Sequence, residues 1–234
     1  FGAGANTFND VFGATANPWN TKLSAAGSSG GAAVSLATGM AWLAHGSDLG
    51  GSLRNPASFC GIVGLRPNPG RVAHTRGSQV NGILSVEGPM ARTVEDVGLL
   101  LDAMTGEHPA DPISLPRTSV SYREAARTPR PLGRLAFSPD LGITPVDPEV
   151  AEICRAAAWR FAELGATVVE THPDLSEAHE CFQTLRAVGF AAAHSARLRD
   201  HLDLLKPETV WNIEKGLKLN VADVVKAEEQ RATI

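Results

Sequence analysis

GSSGGAAVSLATGMAWLAHGSDLGGSLRNPASFCGIVGLRP, residues 27–67, decides how the rest of this 234-residue chain is read. It holds two serine-bearing glycine loops, Gly27-Ser28-Ser29-Gly30-Gly31 and Gly46-Ser47-Asp48-Leu49-Gly50-Gly51-Ser52. Between them, residues 31–39 have the small, apolar character of a buried helix and residues 40–45 (MAWLAH) that of a short internal strand. The glycines then read as joints, and stretches 27–31 and 46–52 as loops whose backbone amides are free to face a ligand. Small residues before a serine let a substrate approach the hydroxyl and aim several amides at one place, where an oxyanion would form. A strong donor there contributes about 3 to 4 kcal/mol in a site that excludes water. Leu49, Gly50, Gly51 and Ser52 are the candidate donors. Neither loop carries the lysine of a phosphate-binding loop, nor the strand-GxGxxG-helix setting of a dinucleotide site.

Taken whole, residues 27–67 closely resemble the amidase signature, and Ser52 follows Ser28 by 24 positions, as in that family. NTFNDVFGATANPWN (residues 6–20) and GPMARTVEDVGLLLDAMTG (residues 88–106) agree with it, so the likeness is strong over the first half and loose over the second. The resemblance implies an α/β fold, with a mixed, largely central sheet sandwiched by helices, present here as an incomplete portion. It also implies a Ser-Ser-Lys triad in place of Ser-His-Asp, with Ser52 as nucleophile, Ser28 as proton bridge, and a cis peptide bond from Gly27 into Ser28. The expected activity is hydrolysis of small linear amides through an acyl-enzyme, with no metal or organic cofactor. Only Lys22 precedes Ser28, at a position the family does not use for catalysis. The expectation is therefore a single domain over residues 1–234, cut at both ends, with Phe1 falling after the catalytic lysine and with little activity of its own.

Around the nucleophile, Ser29 is read as bonding within the site or capping the following helix. Ser47 stands where the family commonly has threonine, and Asp48 and Arg54 are expected to fix backbone shape. Cys60, amid SFCGIVGL, is expected to be a buried, inert thiol. His45 and His74 lack metal-ligand spacing and are taken as structural.

Further along, Thr93 is set to cap a helix whose stripe is Val94, Val97, Leu100, Leu101 and Met104, ended by Gly106. Residues 107–133 are proline- and arginine-rich, including Pro109, Pro112, Pro116, Pro129 and Pro131, and read as an exposed connection. A strand-helix-strand unit follows: RLAF at 134–137, a helix opened by Asp147 and Pro148, and ATVVE at 166–170. Its helix is expected to bury Val150, Ile153, Cys154, Ala157, Phe161 and Leu164, with Gly165 closing it. Residues 175–205 read as mostly helical, with Ala178, Cys181, Phe182, Leu185 and Val188 on one face, interrupted by Pro207, and a second amphipathic stretch runs from Val210. Phe182, Phe190 and Trp211 read as core; in resembling enzymes this region shapes the substrate entrance.

Composition narrows the partners. With 43% hydrophobic and 20% charged residues and a formal charge of −4, the chain fits a soluble globular protein without a basic stripe for nucleic acid. Residues 23–47 carry no charged side chain, yet their glycines and serines argue against a membrane span. Three unpatterned cysteines and no visible secretory leader point to the cytoplasm. A homodimer is left open. Two rivals to a free-standing amidase stand: a glutamine amidotransferase subunit that feeds ammonia to tRNA-dependent amidation, and a non-catalytic binding protein that keeps the fold.

Overall fold

The computed structural model describes residues 4–74, 82–128 and 130–234; Phe1 and Pro129 lie outside them. The chain forms two compact units, Phe1–Thr128 with Lys206–Thr209, and Pro129–Leu205 with Val210–Ile234. Each is a mixture of helices and small sheets, as an α/β chain should be.

In the first unit a short hairpin, β1 (Phe8–Asn9) and β2 (Gly13–Ala14), precedes α1 (Gly30–Ala37), β3 (Leu43–Asp48), α2 (Arg54–Cys60), β4 (Val63–Gly64), β5 (Val86–Ala91), α3 (Val94–Met104) and α4 (Tyr122–Arg127). Strands β3, β5 and β4 make one antiparallel sheet in that order. The core joins Ala25, Ala33, Leu36, Leu53, Ala57, Cys60 and Met90. Leu53, fully buried, is its pivot. One glycine on each strand makes room for it: a Cβ on Gly88 would lie 2.6 Å from Leu53 Cδ1, one on Gly64 2.7 Å from the Leu53 carbonyl, and one on Gly46 3.1 Å from Leu53 Cδ2. The residue after the candidate nucleophile is thus clamped into the sheet.

The strand expected at residues 40–45 is displaced. It starts at Leu43 and continues through Asp48, because Gly46, Ser47 and Asp48 pair with Gly88, Glu87 and Val86 of β5. Half of the expected second loop is therefore sheet, and the true loop is residues 49–53. Helix α3 has the expected bounds, with the Thr93 side chain accepting from the Asp96 amide, but Val94 is exposed and the buried positions are Val97, Gly98 and Leu101. Within the 107–133 connection lies the unforeseen α4, held by the Asp102 carboxylate, which accepts from the amides of Tyr122 (2.7 Å) and Arg123 (3.1 Å).

The second unit contains β6 (Arg134–Phe137), α5 (Pro148–Glu163), β7 (Thr167–Glu170), α6 (Ala178–Asp200), α7 (Pro207–Lys218), which starts in the first unit's Lys206–Thr209 segment, and α8 (Val221–Thr233). Strands β6 and β7 are parallel neighbours, and Asp147 caps α5 by accepting from Glu149. The stripe expected to be buried on α5 is not: Val150, Ile153, Phe161 and Leu164 are exposed, as is Cys154. The face that turns inward is that of Ala158, the helix's buried residue, with Arg155 stacked near Phe137 and Trp159. Pro207 opens α7 rather than merely ending a helix, and an Asn220–Asp223 capping box divides the expected terminal stretch into α7 and α8. Trp211, expected in the core, is half exposed. Among the described residues no helix is long and apolar enough to cross a membrane.

Leu53→Ala should destabilise the protein by about 2 to 5 kcal/mol, measured by urea unfolding, because three glycine-lined strand positions cannot collapse into the cavity. A wild-type midpoint would show that Leu53 is not the pivot.

Candidate active site

The two glycine loops meet. The Ser29 amide donates to the Ser52 carbonyl at 3.2 Å, so the loop carrying Ser28 lies directly against the loop carrying Ser52. Both serines and Ser29 are half-buried. The Gly27–Ser28 peptide is cis, as the resemblance implied, and Ala26 before it holds a left-handed backbone (φ 56°), a conformation that costs a residue with a Cβ about 1 to 3 kcal/mol.

What holds this loop comes from far upstream. The Thr7 hydroxyl stands 3.0 Å from the Ala26 carbonyl and 3.2 Å from the Ser28 carbonyl, and it accepts from the Gly30 amide at 3.0 Å. Its single proton serves one carbonyl at a time. Close approach explains the glycines: a Cβ on Gly27 would sit 2.7 Å from the Asn6 backbone, and one on Gly30 2.9 Å from Thr7 Cβ. A second clasp holds the end of α2, where Asn17 donates to the Phe59 carbonyl (2.8 Å) and the Trp19 indole to the Cys60 carbonyl (2.8 Å), satisfying carbonyls that a helix end leaves free.

Ser29 occupies the N-cap of α1 without a side-chain cap; its hydroxyl reaches the Ser47 carbonyl only at 3.5 Å. On the other loop the organiser is Asp48, whose side chain is fully buried. Oδ1 accepts from the Gly51 amide (2.8 Å), Arg54 Nη2 (3.1 Å) and Arg66 Nη1 (3.2 Å); Oδ2 accepts from Arg54 Nε (3.0 Å) and the Leu53 amide (3.3 Å). Burial pushes this carboxyl up, but the hydrogen bond from Arg54, the Gly51 amide, the charge of Arg54 and the Leu53 amide outweigh it and hold the group below its ordinary value. Arg54, hydrogen-bonded to Asp48, is raised in turn.

The Gly51 amide is already taken by Asp48, so of the four candidate donors Leu49, Gly50 and Ser52 are those without an internal acceptor among the described residues. Lys22 is exposed in a turn. Cys60 is buried, and desolvation pushes its thiol up, away from nucleophilic thiolate. His45 is exposed on β3. His74 donates its amide to Asp111 (2.7 Å), and its ring lies 3.6 Å from Glu87. Thr7, Asn17, Trp19 and Arg66 escaped the sequence reading of the site, although the first three lie in the flanking segment that resembles the family.

Comparison with known proteins identifies the family. The amidase family model matches residues 1–234, and the chain belongs to that family. Among curated relatives it is 41% identical over 191 residues to an acylamidase of Rhodococcus erythropolis, covering 80% of this chain and 40% of that protein. It is 38% identical over 170 residues to a glutamyl-tRNA(Gln) amidotransferase subunit of Marinomonas sp. (strain MWYL1), covering 73% and 35%. Among solved structures, a bacterial aryl acylamidase of the amidase signature family superposes with a TM-score of 0.87 at 28% identity, covering 99% of this chain and 50% of that one. A 6-aminohexanoate cyclic dimer hydrolase complexed with substrate gives a TM-score of 0.83 at 28% identity, covering 98% and 50%. The chain thus spans two-fifths or less of these two curated relatives and about half of the solved structures.

Because the folded Asp48 carboxyl is held below its usual 3.8, its contribution to stability is complete above that value and is lost as the pH falls through the lower folded value. Asp48→Asn should therefore cost about 3 kcal/mol at neutral pH. The gap from wild type should close on acidification below the ordinary carboxylate range, read from urea unfolding at stepped pH. A gap that stays constant into strong acid would show that another group carries the effect.

Proposed function

We propose that this chain carries the nucleophile half of an amidase site. Ser52 attacks the carbonyl carbon of a small carboxamide while its proton passes to Ser28 and on to a basic group. The amine then leaves with a proton, and water hydrolyses the ester on Ser52, returning the acid and the free hydroxyl. The amides of Leu49, Gly50 and Ser52 receive the oxyanion. The observation that carries this reading is the Ser29-to-Ser52 backbone hydrogen bond, which supports a meeting of Ser28 and Ser52, 24 positions apart, beside three amides without an acceptor among the described residues. The basic group is not assigned to Lys22, which is exposed. Free Cys154 on the surface and two buried free thiols fit a reducing compartment, the cytoplasm.

A second reading is favoured by the 38% identity to an amidotransferase component: the same serine would release ammonia from glutamine for a partner. The acylamidase likeness covers more of the chain, 80% against 73%, which supports the free-standing amidase as the first reading.

In a protein carrying this chain at the length of its relatives, a fluorophosphonate should label Ser52, and a panel of simple acyl amides should be hydrolysed. Ser52→Ala should abolish both, and Ser28→Ala should lower kcat by about a thousandfold or more. Labelling that survives Ser52→Ala would overturn the assignment. Strong preference for glutamine over acyl amides would select the amidotransferase reading.

A further inference from the structure

We propose that Arg66 is a positioning residue for the oxyanion-binding loop, acting through the backbone of Asp48; the inference rests on the Ser52 hydrolase reading above. Arg66 follows β4 and Leu65, whose amide extends the sheet by donating to the Pro89 carbonyl at 3.1 Å. From this rigid base its guanidinium grips two segments. Nη2 donates to the Leu84 carbonyl (2.9 Å), just ahead of β5, while Nη1 donates to the Asp48 carboxylate (3.2 Å) and to the Asp48 backbone carbonyl.

The last contact matters most. The Asp48 carbonyl closes β3, and the amide on the same peptide plane is that of Leu49, the first of the donors without an acceptor among the described residues. In a trans peptide the C=O and N–H lie in one plane and point in opposite directions. Whatever fixes the Asp48 carbonyl therefore aims the Leu49 N–H. Gly50 and Gly51 follow at once, and neither has a side chain to stiffen the loop. Arg54 cannot substitute, because its bonds in this cluster reach only the carboxylate, and its side chain is 55% exposed against 25% for Arg66. The two arginines thus divide the work: Arg54 neutralises the buried charge, and Arg66 orients the peptide that follows it. A lysine could meet one of these acceptors but lacks the planar fork that spans Asp48 and Leu84 together.

The test uses a protein carrying this chain at the length of its relatives, with wild type, Arg66→Met and Arg66→Lys assayed on a simple acyl anilide. Wild type is first labelled at Ser52 by a fluorophosphonate; an unlabelled, inactive wild type would sink the hydrolase reading and this inference with it. Given an active wild type, Arg66→Met should lower kcat by about tenfold to a hundredfold, since one donor is misaimed rather than deleted. KM should stay within about threefold. Guanidinium at sub-denaturing concentration should restore part of the rate in Arg66→Met and none in Ser52→Ala. Wild-type kcat in Arg66→Met, or a loss confined to KM, would overturn the proposal. If Arg66→Met fails to fold, Arg66→Lys decides: a lowered kcat at unchanged KM supports the role, and wild-type kcat refutes it.

Discussion

The first unit is organised around a carboxylate that has no access to water. An ionised Asp48 buried in this way must find all its hydrogen bonds inside the protein, and it finds them in two arginines and the amides of Gly51 and Leu53. Gly51 and Leu53 lie in the turn that follows β3, Arg54 opens α2, and Arg66 reaches in from beyond β4. The need to satisfy one charge therefore dictates the curve of the chain through Leu49, Gly50 and Gly51, delivers Leu53 to the core and leaves Ser52 half-buried. A shape that glycines alone would leave floppy is set by electrostatics.

The facing loop solves the same problem with neutral groups. Residues around Ser28 have little side-chain mass to pack, so rigidity is imported from residues 6–19, which lie close in space but some twenty to forty positions away in sequence. Thr7 accepts from the Gly30 amide and donates to one of the two carbonyls flanking Gly27, while Asn17 and Trp19 hold the far end of α2, the helix that starts two residues after Ser52. Both serine loops are thereby fastened to one upstream segment. Local opening there would loosen the two serines together rather than one at a time.

Much of this was legible in the sequence because it is written in side-chain types. Thr93 and Asp147 announce helix starts through hydroxyl and carboxylate caps, and the small residues before Ser52 announce a close approach of backbone. Arg66 left no such trace, since its decisive acceptors are carbonyls that every residue possesses. The α5 stripe failed for a different reason: periodicity reveals that a helix has an apolar face, not what lies against it, and here Ile153 and Leu164 are 62% and 76% exposed. The end of β3 was misplaced because Gly46, Ser47 and Asp48 have low strand propensity, which the ladder to β5 overrides.

The glycines packed against Asn6, Ser29 and Leu53 carry an evolutionary consequence. A methyl group at Gly27 or Gly64 would strike main-chain atoms that cannot step aside, so drift at these sites is barred whatever molecule the protein handles. Innovation in specificity must come from segments free to vary without disturbing that frame. Two proteins of this lineage could therefore share every one of these glycines and still act on entirely different compounds.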